Sequence, residues 1–295
     1  MNRSIIITDR LEEIDDYLNL FSEDELLAIE SYVGMCGKIH DISQFYQLFS
    51  YNISLFKRCF NIYYNDFITD LNGTPATEVE VNTHIINIAS AGRTVVEIIE
   101  GSLKDFPEGD VFKKNTISST FDKSFSYKLV YYIRNYGQHG HFPVKNDDGY
   151  FSFDLDYILT EENYNGNKST KAEFVDLATD LHEFHGGAKV ACVLSILQFI
   201  CDVINIYIEY LKWIRTKVAS AENEVIRITS EIDRDVIVYS IKDGYAHAFH
   251  KDFEMMTKIK TDLSFMKNEF NTYSKNVQYG KKHSFESIDL QHRWR

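Results

Sequence analysis

Apolar residues recur every three or four positions over most of the chain, the spacing that places them on one face of an α-helix. This pattern predicts helices over residues 39–71, 78–103, 121–139, 169–185 and 188–219. Only 3 prolines occur among 295 residues, which favours long uninterrupted helices. The sequence therefore predicts a mainly α fold that is built as a helical bundle.

The start of the chain is acidic, and its pattern also predicts helices. Within residues 1–30, Ser22 and Glu25 have the spacing of a capping box. Gly34 and Gly37 are expected to interrupt the helical pattern. The turn sequence Asn-Gly-Thr-Pro at 72–75 precedes a fresh helix start, so we expect a domain boundary there.

The last part of the chain changes from helical to alternating periodicity. The alternation predicts strands at 224–229, 235–241 and 245–250. A helix is expected after them, at 252–270. A short strand is also predicted at 149–155. The predicted regions are an N-terminal helical region (1–74), a helical bundle (75–220) and a small C-terminal extension of strands and helix (221–295).

One predicted helix is apolar enough to raise the question of a membrane span. Residues 188–214 are largely apolar, but they include Asp202, Asn205 and Glu209. Charges inside a bilayer are costly, so a central helix of the bundle accounts better for this segment. No contact with a membrane is expected.

The chain is acidic overall and basic in one place. Its net charge of −13 argues against binding nucleic acid or anionic membranes by bulk electrostatics. Residues 111–145, which we name the basic segment, nevertheless hold a single acidic residue, Asp122. Their basic residues are Lys113, Lys114, Lys123, Lys128, Arg134 and Lys145. The segment indicates a local basic site, although a mixed solvated surface also produces such clusters by chance.

The cysteines bear on the compartment. Those at positions 36, 59, 192 and 201 form no Cys-x-x-Cys pair, and three lie in apolar helical contexts. They are expected to be buried thiols of a reduced compartment. The apolar run near the N-terminus is too short for a signal peptide. We therefore expect a cytoplasmic protein.

The strongest candidate chemistry stands at the end of the predicted helix 121–139. The string is Arg134-Asn135-Tyr136-Gly137-Gln138-His139, and His141 follows it. Arginine can bind a phosphate through paired hydrogen bonds, and histidine can move a proton near neutral pH. Glycines and a proline over 137–143 end the helix, so these side chains are expected to reach a cleft.

This string resembles the signature of the HEPN superfamily, in which an arginine and a polar residue are followed by a histidine. HEPN domains are all-helical bundles of prokaryotic toxins, anti-phage effectors and RNA-processing nucleases. The stretches 82–95 and 121–127 also look like cytosolic bacterial members, so the resemblance covers about residues 79–215. It implies a HEPN-like helical bundle in which Arg134 and His139 are the catalytic pair and Asn135 is a supporting polar residue.

The resemblance implies a metal-independent endoribonuclease, a toxin or anti-phage effector that cuts a structured RNA such as tRNA. The ribose 2′-oxygen would attack the adjacent phosphate and leave a 2′,3′-cyclic phosphate. His139 would act as general base or acid, and Arg134 would stabilise the transition state. No metal and no cofactor are implied. The predicted RNA contacts are Lys113, Lys114, Lys123, Lys128 and Lys145.

Helix geometry adds a constraint that does not depend on the family. At about 100° per residue, Arg134 and His139 lie about 140° apart, whereas Asn135 and His139 can touch. One regular helix cannot aim both catalytic side chains at one phosphate. Either the helix breaks at Gly137, or two copies of the chain contribute to one cleft. The family arrangement implies the second option, so we expect a homodimer.

One position departs from a toxin subgroup of the family. That subgroup has a tyrosine two residues after the histidine, where a partner antitoxin modifies it, but this chain has His141. The departure puts regulation by that chemistry in doubt, while an antitoxin or other regulatory protein stays a candidate partner. His141 either assists proton transfer or is a loop histidine. Tyr136 and Gln138 are further supporting candidates.

Other groupings are less specific. Arg93 and Glu97, four residues apart, form either an intrahelical ion pair or support for the cleft. His182 and His185 lack the spacing and the third ligand of a zinc site, so no metal is expected there.

The rival to a ribonuclease is a non-catalytic HEPN-like module that binds a nucleotide, RNA or a protein partner. The acidic character of the whole chain favours this rival.

Overall fold

The structure is a computed structural model that describes most of the chain. The described residues are 4–6, 20–59, 77–138, 141–147, 150–160, 168–232, 236–242, 245–250 and 254–283. Within them the chain is mainly helical with a few short strands, which confirms the predicted fold class. It divides into two compact units, which we name unit one, Met1–Ser43 with Ile208–Lys267, and unit two, Gln44–Tyr207 with Asn268–Arg295.

The helices follow the apolar spacing of the sequence. They are α1 (Glu23–Cys59), α2 (Glu78–Leu103), α3 (Gly109–Phe112), α4 (Ser119–Lys123), α5 (Phe125–Gln138), α6 (Leu155–Thr160), α7 (Lys168–His185), α8 (Cys192–Thr229) and α9 (Met255–His283). A π-helix, Lys113–Ser118, connects α3 to α4. The helices predicted over 78–103 and 169–185 are confirmed to within one residue. The predicted turn at 72–75 lies outside the described residues.

Capping side chains fix two of the helix starts. Thr77 Oγ1 accepts from the backbone N–H of Glu80, whose carboxylate accepts from the Thr77 N–H at 2.8 Å, so α2 begins with a capping box. The same reciprocal bonds join Ser22 and Glu25 at the start of α1. The capping box predicted at Ser22 is therefore confirmed.

Two predictions about helix continuity are wrong. Helix α1 runs through Gly34 and Gly37 without a break, because a glycine costs a helix only about 1 kcal/mol and the apolar face on both sides is buried. The helix predicted over 121–139 is two helices. Ser124 between them is extended, with φ −100° and ψ 110°, and its Oγ accepts from the backbone N–H of Tyr127. Ser124 therefore caps the start of α5.

The alternating stretch at 224–229 was expected to form a strand, and this expectation is wrong. These residues form the last part of α8. Val225 and Thr229, four residues apart, are both buried, and the Thr229 hydroxyl donates to the Val225 carbonyl at 2.8 Å. Val225 and Thr229 therefore belong to the buried face of a helix, whereas Ile226, which completes the alternating pattern, is exposed.

Unit one contains a three-stranded antiparallel sheet. Its strands are β1 (Ser4–Ile6), β5 (Val236–Lys242) and β6 (Tyr245–His250), in the order β1-β6-β5. The strands predicted near 235–241 and 245–250 are confirmed. Helix residue Tyr32 donates to the buried carboxylate of Glu222 at 2.8 Å, and the backbone N–H of Met256 donates to the same oxygen. Glu222 therefore joins three helices of this unit.

Unit two holds a second antiparallel sheet and an aromatic core. Its strands are β2 (Val144–Asp147), β3 (Tyr150–Asp154) and β4 (Lys189–Ala191), in the order β2-β3-β4. The strand predicted at 149–155 is confirmed as β3. In the core, the rings of Phe49 and Phe199 pack edge to face, with centroids 6.3 Å apart. Gly92 of α2 lies against both rings, so the lack of a side chain at this position lets the helix approach them closely.

Helix α8 has the length and composition of a membrane span but packs as a core helix. It is the one helix of the described residues with those properties, and 67% of its most apolar window is buried within the protein. That burial fits a soluble protein. Cys36, Cys192 and Cys201 are buried thiols, as predicted. Burial raises the pKa of the Cys36 thiol to about 12, which favours the protonated form near neutral pH.

Candidate functional site

Helix α5 carries the start of the motif on its last turn. On the face of α5 that is turned away from Arg134, four residues are buried: Leu129, Tyr132, Ile133 and Tyr136. Their burial fixes the position of the helix in unit two. Arg134 and Asn135 are left half-buried at the end of the helix. The side chain of Gln138 and all of His139 lie outside the described residues.

The Arg134 guanidinium has an N–H donor that no described residue accepts from. Its Nη1 donates to Oδ1 of Asn135 at 3.4 Å, so the structure brings these two residues together. Its Nε is buried and has no hydrogen-bond partner within the described part of the chain. Because a guanidinium carries five N–H donors, this arrangement can bind an anion such as a phosphate.

His141 is placed against Tyr136. The two rings stack with centroids 4.7 Å apart and an interplanar angle of 30°, and Tyr136 is fully buried. On a regular helix Tyr136 is turned about 160° away from Arg134. Within one chain His141 therefore lies on the side of α5 away from Arg134, and its role in proton transfer stays a prediction.

A buried amide anchors the segment that follows the motif. Asn82 of α2 is fully buried; its Oδ1 accepts from the backbone N–H of Val144 at 2.9 Å, and its Nδ2 donates to the Val144 carbonyl at 3.0 Å. On the same helix, Ile86 packs closely against Gly137, where a Cβ would lie 2.9 Å from Ile86 Cγ1. Helix α2 therefore holds the chain on both sides of the motif histidine. The apolar-spacing analysis missed Asn82.

Most lysines of the basic segment are accessible. Lys114 and Lys123 are exposed, and Lys113 is exposed with its Nζ 3.8 Å from Glu100. Lys145 lies 3.7 Å from Glu78, with its ammonium 4.2 Å from the centroid of the Tyr157 ring. These four side chains can reach a polyanion, and their contacts with RNA stay predictions.

Lys128 occupies a different environment from the other lysines. It is 5% exposed, and its Nζ lies 2.6 Å from the carboxylate of Glu173 and over the ring of Phe121. A contact between Lys128 and RNA would require this ion pair to open. The local surplus of positive charge at the surface is therefore smaller than the sequence indicates.

Arg93 forms the intrahelical ion pair that the sequence allowed. Its Nε lies 2.8 Å from Glu97 and its Nη2 lies 3.7 Å from Glu100, while the guanidinium lies over the Tyr131 ring at 5.0 Å from the centroid. Burial lowers the pKa of Arg93, but Glu100, Tyr127 and Glu97 outweigh this effect and raise it. Burial raises the pKa of Tyr127, so its hydroxyl stays neutral near pH 7 although Arg93 acts in the opposite sense.

A pocket of about 320 Å³ opens beside Arg93. Its walls come from α2 (Arg93, Glu100), the π-helix (Ile117, Ser118), α4 (Phe121, Asp122) and α5 (Tyr127, Tyr131). The Phe121 ring stands nearly perpendicular to those of Tyr127 and Tyr131, at centroid distances of 6.4 and 5.8 Å. Sequence reasoning missed this pocket, because its residues come from four separate elements and form no motif.

The two histidines considered as metal ligands do not form a described metal site. His182 Nε2 lies 2.8 Å from the carboxylate of Asp156, and the side chain of His185 lies outside the described residues. Over the ranges that the structure describes, no group of three or more His, Cys, Asp or Glu side chains could hold a metal ion.

Comparisons with known proteins do not assign the chain to a family. No protein-family model, no curated protein and no solved structure matches it. The resemblance to HEPN domains stays an expectation from the sequence.

Proposed function

We propose that the chain is a HEPN-type, metal-independent endoribonuclease of the cytoplasm, a toxin or anti-phage effector that cuts a structured RNA such as tRNA. The observation that carries the proposal is the Arg134 guanidinium. It lies at the end of a helix in the basic segment, bonded to Asn135, with a buried Nε that no described residue satisfies. Such a group suits a phosphodiester in a transition state that gains negative charge.

The proposed reaction is an internal transfer of the phosphate. The ribose 2′-oxygen forms a bond to phosphorus as its proton passes to a base, and the bond from phosphorus to the 5′-oxygen breaks as that oxygen takes up a proton. The products are a 2′,3′-cyclic phosphate and a 5′-hydroxyl. His139 is proposed to act as the base or the acid, and Arg134 to stabilise the phosphorane-like transition state.

The proposed active site is shared between two copies of the chain. On α5, Arg134 projects from one side, and His141 stacks on Tyr136 on the other side. A second copy can supply its motif histidine to the Arg134 of the first, and the reverse contact follows from twofold symmetry. This arrangement satisfies the angular constraint without a break inside α5.

A cleavage assay tests the proposal. Purified protein is incubated with total RNA in excess chelator, and the new 3′ ends are analysed for a 2′,3′-cyclic phosphate. We expect cleavage by the wild type and a loss of about 100-fold or more in Arg134→Ala and His139→Ala, the usual size of a lost acid–base contribution. Arg215→Ala and His250→Ala are matched controls, because both residues are exposed and lie in unit one.

The outcomes separate the ribonuclease from its rival. Intact RNA with the wild type, or undiminished cleavage by either motif variant, would contradict the proposal. The rival is a non-catalytic module that binds a nucleotide or RNA, and the aromatic pocket beside Arg93 favours it. The rival predicts RNA binding without turnover, and overexpression that does not arrest growth.

A further inference from the structure

We propose that the pocket beside Arg93 binds a guanine base of the RNA, next to the phosphate that Arg134 holds. The position of the phosphate rests on the proposed function, whereas the binding of the base does not. The pocket volume of about 320 Å³ is at the small end of the range of about 300–1,000 Å³ for ligand sites, which suits one base rather than a larger ligand.

Planar groups form much of the pocket wall. The guanidinium of Arg93 lies over the Tyr131 ring, and Phe121 stands edge to face with Tyr131. Unstacked RNA bases are typically bound on aromatic rings and on arginine guanidinium planes. The wall therefore suits a flat heterocycle.

The polar groups of the pocket favour a base with two adjacent donors. Asp122 is exposed, and among the described residues it has neither an ion pair nor a hydrogen-bond partner for its carboxylate, in contrast to Glu100, which faces Arg93 and Lys113. A carboxylate can accept two parallel N–H bonds. Guanine presents N1–H and N2–H side by side on its Watson–Crick edge, whereas adenine, cytosine and uracil place an acceptor beside their donor. Asp122 therefore selects for guanine.

Charge outside the pocket suits the phosphates of the same strand. Lys113 and Lys114 lie on the π-helix that also supplies Ile117 and Ser118, and Lys123 directly follows Asp122. All three lysines are exposed. A nucleotide can therefore place its base against the carboxylate and its phosphates against the lysines. The acidic charge of the whole chain does not prevent this local contact.

One side of α5 connects the pocket to Arg134. Tyr127, Tyr131 and Arg134 stand at positions i, i+4 and i+7, so their side chains project within about 60° of one another. Arg134 lies about one helical turn, roughly 5 Å, beyond Tyr131. A base on Tyr131 therefore directs its phosphodiester towards Arg134. The pocket wall also contains a π-helix, a rare conformation that often marks functional sites.

Binding measurements test the pocket separately from catalysis. The His139→Ala protein is titrated in chelator with the monophosphates of guanosine, inosine, adenosine, cytidine and uridine. We expect the guanosine nucleotide to bind about tenfold or more tightly than those of adenosine, cytidine and uridine, the discrimination of one bidentate contact. The inosine nucleotide, which lacks the N2 amine, is expected to bind with intermediate affinity.

Variants identify the groups responsible. Asp122→Asn is expected to weaken binding of the guanosine nucleotide about tenfold and to remove the preference. Asp110→Asn, at an exposed carboxylate outside the pocket, should change nothing. Tyr131→Phe keeps the ring and should retain binding, whereas Tyr131→Ala should weaken it about fivefold or more. Equal affinity for all five nucleotides, no binding at all, or equal effects of the two aspartate variants would overturn the proposal.

Oligoribonucleotides separate an RNA base from a free nucleotide. With the His139→Ala protein, a uridine-rich strand that contains one guanosine should bind about tenfold more tightly than the same strand without it. Equal binding of the strands would overturn the assignment to RNA even if the free guanosine nucleotide binds. If the nucleotide binds through Asp122 while the wild type leaves RNA intact, the pocket stands and the ribonuclease proposal fails. If the wild type cleaves RNA but neither binding nor cleavage depends on guanosine, the ribonuclease proposal stands and the guanine pocket is overturned.

Discussion

Asn82 fixes the geometry of the segment that follows the motif. Its amide pairs with both backbone polar groups of Val144, and its Nδ2 also donates to the Glu78 carbonyl at 2.9 Å. The two bonds to Val144 are buried, and a buried backbone group that loses its partner keeps the cost of its lost hydration. One side chain of α2 therefore determines where the chain leaves the motif.

Asn82→Ala is expected to lower the free energy of unfolding by about 2 kcal/mol or more, because two buried groups of Val144 lose their partners. Chemical denaturation measures the change. Asn87→Ala is the matched control, since Asn87 is exposed on the same helix, and it should change stability by less than about 0.5 kcal/mol. Equal effects of the two substitutions would show that the Val144 contacts are not stabilising.

The sequence predicts individual residues well where their role is local. The end of α5 follows from helix periodicity and from the glycines and proline over 137–143, whereas the hydrogen bond from Arg134 to Asn135 was not predicted. The role of Asn82 could not be predicted, because its partner Val144 is 62 residues away and no periodicity connects the two. The burial of Lys128 was missed for the same reason, since its partner Glu173 belongs to α7.

Helix α2 packs tightly against the aromatic core at Gly92. A Cβ at Gly92 would lie 2.8 Å from Phe199 Cε1 and 2.9 Å from Phe49 Cε2. Both rings are buried, at 3% and 0% exposure, and pack against each other, so neither can move away freely. Gly92 therefore sets the distance between α2 and the aromatic core.

Gly92→Ala is expected to lower the free energy of unfolding by about 1 kcal/mol or more, because overpacking outweighs the gain of alanine in a helix. Gly101→Ala on the same helix has nothing within 4 Å of its new Cβ, so it should raise stability by up to about 1 kcal/mol. Thermal unfolding should therefore show shifts of opposite sign. A stabilising Gly92→Ala would mean that the rings yield easily.

Periodicity predicts long elements better than short ones. The bounds of α2 and α7 follow directly from their apolar faces. Strand β1 has three residues and pairs with β6, which is more than 200 residues away. No local sequence pattern therefore predicts it. The stretch 224–229 fits both structures, because residues four apart, such as the buried pair Val225 and Thr229, share one face in a strand and in a helix.

At the scale of the whole molecule, each compact unit combines stretches that are distant in sequence. Unit one joins residues from the first and last thirds of the chain, and unit two includes the last residues. The regions predicted at 1–74, 75–220 and 221–295 follow chain order, because a sequence shows where composition changes and not which distant segments pack together. Those boundaries stay a prediction.

The proposed homodimer makes a quantitative prediction about mixed variants. If each active site takes its arginine from one copy and its histidine from the other, a dimer of one Arg134→Ala chain and one His139→Ala chain keeps one intact site. Random mixing makes half of the dimers mixed, so about a quarter of wild-type cleavage should return. Each variant alone should be inactive. The cleavage rate at equal total protein, after the two variants are refolded together, measures the recovery.

A second mixture controls for the act of mixing. Arg134→Ala chains combined with chains that carry both substitutions contain no intact site in any pairing, so activity should not return. Mixed dimers can be counted by giving the two variants tags of different mass. If mixed dimers form and the first mixture stays inactive, both groups must act within one chain. In that case α5 would have to break near Gly137 to bring Arg134 and His139 to the same phosphate.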